Sequence, residues 1–356
     1  YFAAMSALHT RICDLLGVRY PIVQTGMGWV SGARLTAATS AAGGFGILAA
    51  ATMTLPELTV AIDKVKSRTD APFGVNLRAD QPDVDDVIAL IIDRGIKLAS
   101  FAGAPRRPLI DQLKTAGILT MPTIGAPRHA EKMQSWGVDA VIAQGGEGGG
   151  HTGSIATSQL LPAVTACVDI PVLGAGGFSD GRGLIAALAY GADGIAMGTR
   201  FLLTAESQVP DNVKAVYLKT GLRGTVVTRA IDGHPQRVIA TELIQELEGA
   251  GTVAALSRSL RHALSFRRTV GASVGEFLRE GLAMRKTQKL SWPQLAMAAN
   301  APMMTRASMV EGRPEVGILP TGQVTGRIDS LPTVAELIGE IMAQAEQTLE
   351  RLGGHS

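Results

Sequence analysis

Only two cysteines occur in the chain, Cys13 and Cys167, and they match neither a disulfide framework nor a zinc-binding spacing. A fold stapled by covalent links is thereby excluded. Both thiols read as small buried apolar side chains of a protein in a reducing, cytoplasmic setting. Charge of one sign is lacking too: 33 Lys and Arg against 31 Asp and Glu leave a formal charge of +2, so no global field favours nucleic acid or an anionic membrane. No apolar run approaches the roughly 20 residues of a membrane helix, and no basic-then-apolar signal pattern opens the sequence. The expectation is a soluble protein whose anionic ligands, if any, meet a local patch.

What the chain has instead is apolar mass and glycine. Its 356 residues are 46% hydrophobic, enough for a barrel of about 250 residues with an extension. From Pro21 to Phe201 a two-part unit recurs, a short apolar run followed by a helix-period segment. Eight strands are predicted at 21–26, 45–50, 72–78, 97–103, 119–125, 140–146, 171–177 and 194–201. Gly43, Gly95, Gly117, Gly137 and Gly191 fall where helix C-caps are needed. Near-continuous apolar strands alternating with amphipathic helices mean a parallel sheet covered by helices, and eight such units favour a closed (β/α)8 TIM barrel. The alternative, an open doubly wound sheet, lacks the GxGxxG that would follow its first strand. Beyond the repeat, 205–325 reads as a mostly α-helical lid domain. Residues 326–356 carry a helix able to return as the last barrel helix, leaving 5–204 as the barrel proper.

In such a barrel chemistry belongs to the loops after the strands' C-terminal ends, with phosphate bound after the last two. Strand seven ends in GAGGFSDGRG and strand eight in MGTRF. Gly176, Gly177, Gly198 and Thr199 thus offer backbone N–H groups and a hydroxyl to a phosphate, although the same glycines would also serve as plain turn residues. Strand six ends in QGGEGGGHTG, with five glycines between Gln144 and His151. A loop so unsuited to regular structure suggests close approach to something flat, or movement. His151 on that loop could exchange a proton with a carbon acid, or simply bond to backbone. His9 and His129 read as structural or surface residues, and no metal site is indicated.

These motifs carry a resemblance. PIVQTGMGWV, AAGGFGIL, PFGVN, QGGEGGGHTG, PVLGAGGFSDGRG and MGTRF occur in order, and the chain resembles the nitronate monooxygenase (2-nitropropane dioxygenase-like) flavoproteins, which include enoyl-ACP reductase II. The resemblance implies FMN as cofactor, with Thr25, Gly26, Met27, Asn76, Gln144 and Gly149 along its ring system. Ala175, Gly176, Gly177, Met197, Gly198 and Thr199 would hold its phosphate. It also implies His151 as the catalytic acid/base, moving a proton at an acidic carbon in step with electron or hydride exchange. GMGWV is closer to the reductase branches than to true nitronate oxidases, which carry PM after strand one. LSWPQLAMAANAPMM and GQVTGRIDSLP resemble an actinobacterial branch that acts on an indane carboxyl-CoA in steroid ring breakdown.

Residues 251–295 hold eight basic residues against Glu276 and Glu280. Arg261, Arg267 and Arg268 among them could grip the phosphates of a CoA thioester, or face solvent or a second subunit of a homodimer. Nitronate oxidation, NAD(P)H-dependent enoyl-thioester or quinone reduction, and a flavin-binding carrier or sensor are the alternatives on the same scaffold.

Overall fold

The computed structural model describes residues 8–249 and 292–353. Eight parallel strands close into a barrel: β1 (Ile22–Gln24), β2 (Phe45–Ala49), β3 (Phe73–Leu77), β4 (Leu98–Phe101), β5 (Leu119–Ile124), β6 (Val141–Gln144), β8 (Val172–Ala175) and β9 (Gly194–Met197). Closure runs through β9 and β1, with Ile22 opposite Ile195 and Gln24 opposite Met197. Between β6 and β8 lies β7 (Gly150–His151), which belongs to a separate small sheet. Each strand lies within or at the edge of its predicted run. The last is shorter than expected, because the chain turns at Gly198 into a helical turn, Thr199–Leu202.

The strands are buried on both faces, as β2 and β3 show along their whole length. That is the signature of a parallel sheet under helices. Helix-to-sheet contact is close enough that a Cβ on Gly46 would lie 2.2 Å from the Thr36 carbonyl oxygen. Gly43, Gly95, Gly117, Gly137 and Gly191 all have positive φ, between 56° and 90°, so each ends its helix in the left-handed turn that an L side chain resists.

The barrel interior is filled by Val23, Phe45, Ile47, Leu98, Met121, Ile142 and Leu173, joined by Ile12, Cys13 and Leu16. These last three come from the helix Arg11–Leu16, which plugs the end opposite the strands' C-termini. Arg11 locks it there, donating from Nε and Nη2 to the two oxygens of Asp193 at 2.8 and 2.9 Å. The final helix, Val334–Gly353, packs against Gly181–Ala189 and Ala33–Ala41, the place of the eighth barrel helix. A Cβ on Gly181 would sit 2.3 Å from both the Ala345 nitrogen and the Ile341 oxygen, so glycine alone allows this approach.

The segment after the barrel holds helices at Asp211–Lys219, Glu242–Gly249 and Trp292–Met309. It also holds an antiparallel hairpin of β10 (Thr225–Thr228) and β11 (Gln236–Ile239), which the sequence reading passed over. The hairpin's own small core is Ile231, Val238, Ile244 and Ile318. Its β11 pairs with β7, placing Gln236 opposite His151 and Arg237 opposite Gly150. Arg261, Arg267 and Arg268, with most of the basic segment, lie outside the described residues.

Candidate active site at the barrel mouth

The sequence-selected residues share one rim. Thr25, Gly26 and Met27 follow β1, Asn76 is in β3, and Gln144, Ala175 and Met197 end β6, β8 and β9. Direct contacts join them around the rim. A Cβ on Gly26 would lie 2.2 Å from that of Asn76, and one on Gly198 would meet Met27 Sδ and Thr25 Oγ1, each at 3.2 Å. Thr25 donates its hydroxyl to the Met197 carbonyl at 3.3 Å, and Gly145 N–H donates to Ala175 O at 3.0 Å. Asn76 is buried, with its amide 3.4 Å from Ser100 Oγ. The GMGWV loop carries Trp29 at φ 64°, a conformation L residues avoid. It is fixed by the Trp29 N–H bond to Thr52 Oγ1 at 3.1 Å and by Arg306, 5.7 Å above the ring.

The glycine loop folds largely on the protein itself, so the close approach its glycines allow is in good part to neighbouring backbone and side chains. A Cβ on Gly145 would strike Thr157, one on Gly148 the Gln144 side chain, and one on Gly149 the backbone of Thr321 and Gly322 at 2.4 and 2.5 Å. The Thr321–Gln323 strap is pinned across the loop by Gly322 N–H to Thr199 Oγ1 at 2.8 Å and Gln323 N–H to Glu147 O at 2.9 Å. Glu147 is turned into the fold, its carboxylate accepting from Thr157 N–H at 2.7 Å and Thr157 O–H at 2.5 Å. Arg237 reaches across from β11 and donates twice to Gly146 O, at 3.1 and 2.9 Å. Burial holds its guanidinium below the ordinary value.

His151 projects from β7 with 65% of its side chain exposed, while its partner Asp232 is 18% exposed. The distance from His151 Nε2 to Asp232 Oδ2 is 2.7 Å. The same oxygen accepts from the Gln236 amide at 2.5 Å, and Asp232 Oδ1 accepts from His234 N–H at 3.0 Å. Burial pushes the Asp232 carboxyl up, but the hydrogen bond and charge of His151, with those two donors, outweigh it and leave the group below its usual range. Gln144 supports the loop from beneath, donating to the His151 carbonyl at 2.7 Å. The sequence reading missed Asp232, Gln236, Arg237 and Thr321. The signal available for the first three was the turn dipeptide Asp232-Gly233 within the short connection between the β-rich runs TVVT and QRVI.

The rim offers amide side chains, hydroxyls and backbone groups. Gly176 and Gly177 sit at φ 87° and 88°, an arrangement of backbone that can turn N–H groups toward an anion. Thr199 accepts from Gly322 N–H, and its hydroxyl also lies 3.5 Å from Thr321 Oγ1. Such a neutral donor set fits a flat, hydrogen-bonding ring system with a phosphate at one end.

A family model for nitronate monooxygenase matches residues 9–90 and 85–344. The chain belongs to the nitronate monooxygenase family. Members of this family are flavin-dependent oxidoreductases, and so is this chain. It is 54% identical, over 98% of its length and 99% of the relative's, to the (3aS,4S,5R,7aS)-5-hydroxy-7a-methyl-1-oxo-octahydro-1H-indene-4-carboxyl-CoA dehydrogenase of Rhodococcus jostii (strain RHA1). The protein of that name from Mycobacterium tuberculosis (strain ATCC 25618 / H37Rv) is also 54% identical, over 95% of this chain and 96% of its own. Among solved structures, FabK from Thermotoga maritima superposes with a TM-score of 0.80 at 34% identity, covering 98% of this chain and 99% of that one. Nitroalkane oxidase from Streptomyces ansochromogenes gives 0.76 at 28% identity, covering 96% and 99%. Among the described residues no helix is long and apolar enough to cross a membrane.

Proposed function

We propose that this family member binds FMN at the barrel rim and dehydrogenates an indane carboxyl-CoA thioester in the cytoplasm, with His151 as acid/base. One observation carries the assignment: His151 stands exposed on the glycine loop at the mouth, anchored by a sheltered carboxylate, beside the rim that fits a flavin. Thr25, Gly26, Met27, Asn76, Gln144 and Gly149 would hold the ring system of FMN. Ala175, Gly176, Gly177, Met197, Gly198 and Thr199 would hold its phosphate. When bound, FMN supplies the two-electron acceptor that a dehydrogenation needs.

In the substrate named for the two 54% identical relatives, a hydroxyl-bearing carbon neighbours the carbon that carries the CoA carboxyl group. The proton on that second carbon is acidic because the thioester carbonyl spreads the charge left behind. His151 takes that proton, and general-base help of this kind is worth about 10²–10⁴ in rate. In a division into 5–204, 205–325 and 326–356, the barrel strands of the first would supply the rim, the hairpin of the second would border it, and the helix Val334–Gly353 of the third would complete the helical ring. Arg261, Arg267 and Arg268 would grip the phosphates of coenzyme A.

The test pairs two measurements on the FMN-loaded enzyme. Reversing charge with Arg267→Glu and Arg268→Glu together is expected to weaken thioester binding at least tenfold, on the order of one lost charge-assisted hydrogen bond, with FMN retained. Unchanged affinity would remove these arginines from the site. Oxygen consumption with propyl-2-nitronate is expected to stay near background, and rapid consumption without thioester turnover would replace the reading with nitronate oxidation.

A further inference from the structure

We propose that Asp232 is a positioning residue that fixes His151 as the Nε2–H tautomer, so that Nδ1 is the nitrogen that exchanges the proton with substrate. The inference deepens the proposed function and rests on its assignment of His151. An ionised carboxylate can only accept hydrogen bonds, so the 2.7 Å contact between Asp232 Oδ2 and His151 Nε2 requires the proton to be on Nε2. Gln236 cannot reverse this assignment. Its amide nitrogen lies 3.2 Å from Nε2 but 2.5 Å from the same Asp232 oxygen, where a donor is welcome. Among the described residues no hydrogen bond to Nδ1 is seen, and the side chain is 65% exposed.

The carboxylate is itself held on both oxygens. His234 N–H and the Gln236 amide orient it, and the pairing of Gln236 with His151 sets the hairpin in register with the glycine loop. The barrel thus carries the imidazole and the following segment carries its orienting acid. When Nδ1 takes the substrate proton, the imidazolium keeps both ring protons and its charge is met by Asp232, which stays ionised. Among the described residues, the other titratable or charged groups near the pair are the His234 ring, 6.1 Å away edge-on, and Arg78 after β3. Arg78 is bound in turn to Asp80 at 2.7 Å. Glu147 is committed to Thr157 and does not compete.

The direct test is ¹⁵N spectroscopy of the FMN-loaded enzyme labelled at histidine, with His151→Asn to assign the resonance. The neutral ring should carry its proton on Nε2, and a proton on Nδ1 in the wild type would overturn the proposal without any variant having to fold. Asp232→Asn keeps the shape but offers an amide N–H to Nε2, which should drive the proton to Nδ1. With that change kcat should fall about 10²–10⁴-fold at nearly constant KM. The acid limb of the pH–rate profile should also move to lower pH, since the imidazolium loses its counter-charge. An unmoved profile with kcat within about threefold of wild type would contradict the role. His151→Ala separates the two ideas: full turnover in that variant would defeat the acid/base assignment, whereas the tautomer result speaks to Asp232 alone.

Discussion

Gly149 and Gly150 are adjacent glycines that the structure requires for different reasons, and substituting each with alanine tests the account of the glycine loop. A Cβ at position 149 would lie 2.4 Å from the Thr321 carbonyl carbon and 2.5 Å from the Gly322 nitrogen. Both are backbone atoms, so no rotamer change relieves the clash, and the strap would have to retreat by about 1 Å to reach ordinary contact. It is pinned at Thr199 and Glu147 by hydrogen bonds of 2.8 and 2.9 Å, which such a retreat would break. Two bonds at about 1 kcal/mol each and the low end of overpacking, about 1 kcal/mol, give a loss of about 3 kcal/mol. At about 2 °C per kcal/mol for a large domain, Tm should fall by about 6 °C. The strap also fixes Thr199, so FMN affinity should fall in parallel. Gly150 has φ 65° and nothing within 4 Å of its missing Cβ, so Gly150→Ala should lose only the left-handed penalty of about 1–2 kcal/mol, and Gly150→Asn less. Thermal unfolding and FMN titration of the three variants decide the matter. A Gly149→Ala protein with wild-type Tm and FMN affinity would refute the reasoning.

At the other end of the molecule, Gly181→Val should push the last helix off the barrel, because its Cβ would meet backbone atoms at 2.3 Å. The expected loss is about 1–3 kcal/mol, read by urea unfolding, and an unchanged midpoint would count against the close contact. Asp180 caps the helix Gly181–Ala189 through Gly183 N–H at 2.9 Å and pairs with Arg182 and Arg327. Burial raises its carboxyl, but these partners outweigh it and leave the folded-state value depressed. A depressed carboxyl contributes stability above its unfolded value of about 4, and that contribution is lost as pH falls through the folded value. Asp180→Ala should therefore be less stable than wild type by about 1–2 kcal/mol at pH 7, and the gap should shrink below about pH 4. A gap constant with pH would show that the charge is not involved.

The barrel was legible because parallel strands buried on both faces have a one-dimensional signature: runs such as FGILA and PFGVN, separated by helices that end in glycine. Local rules suffice for that. The rim was legible too, since a barrel's chemistry lies at strand C-termini, and Asn76, Gln144, Ala175 and Met197 fall there by construction of the repeat. What the sequence hid was pairing at a distance. His151 and Asp232 are 81 positions apart, and nothing local to either announces that β7 and β11 will adjoin. The packing of the glycine loop was hidden for the same reason. Its tight partner is Thr321–Gly322, more than 170 positions onward, so nothing local shows which backbone fills the space of the missing side chains.

The central claim is that a flavin held at this rim accepts electrons from a CoA thioester, and anaerobic mixing tests it most directly. The FMN-reconstituted enzyme is expected to lose its visible flavin absorption when the indane carboxyl-CoA thioester is added, and His151→Ala is expected to stay yellow. A wild-type protein that takes up no FMN, or one bleached by NADPH or a nitronate but not by the thioester, would contradict the account.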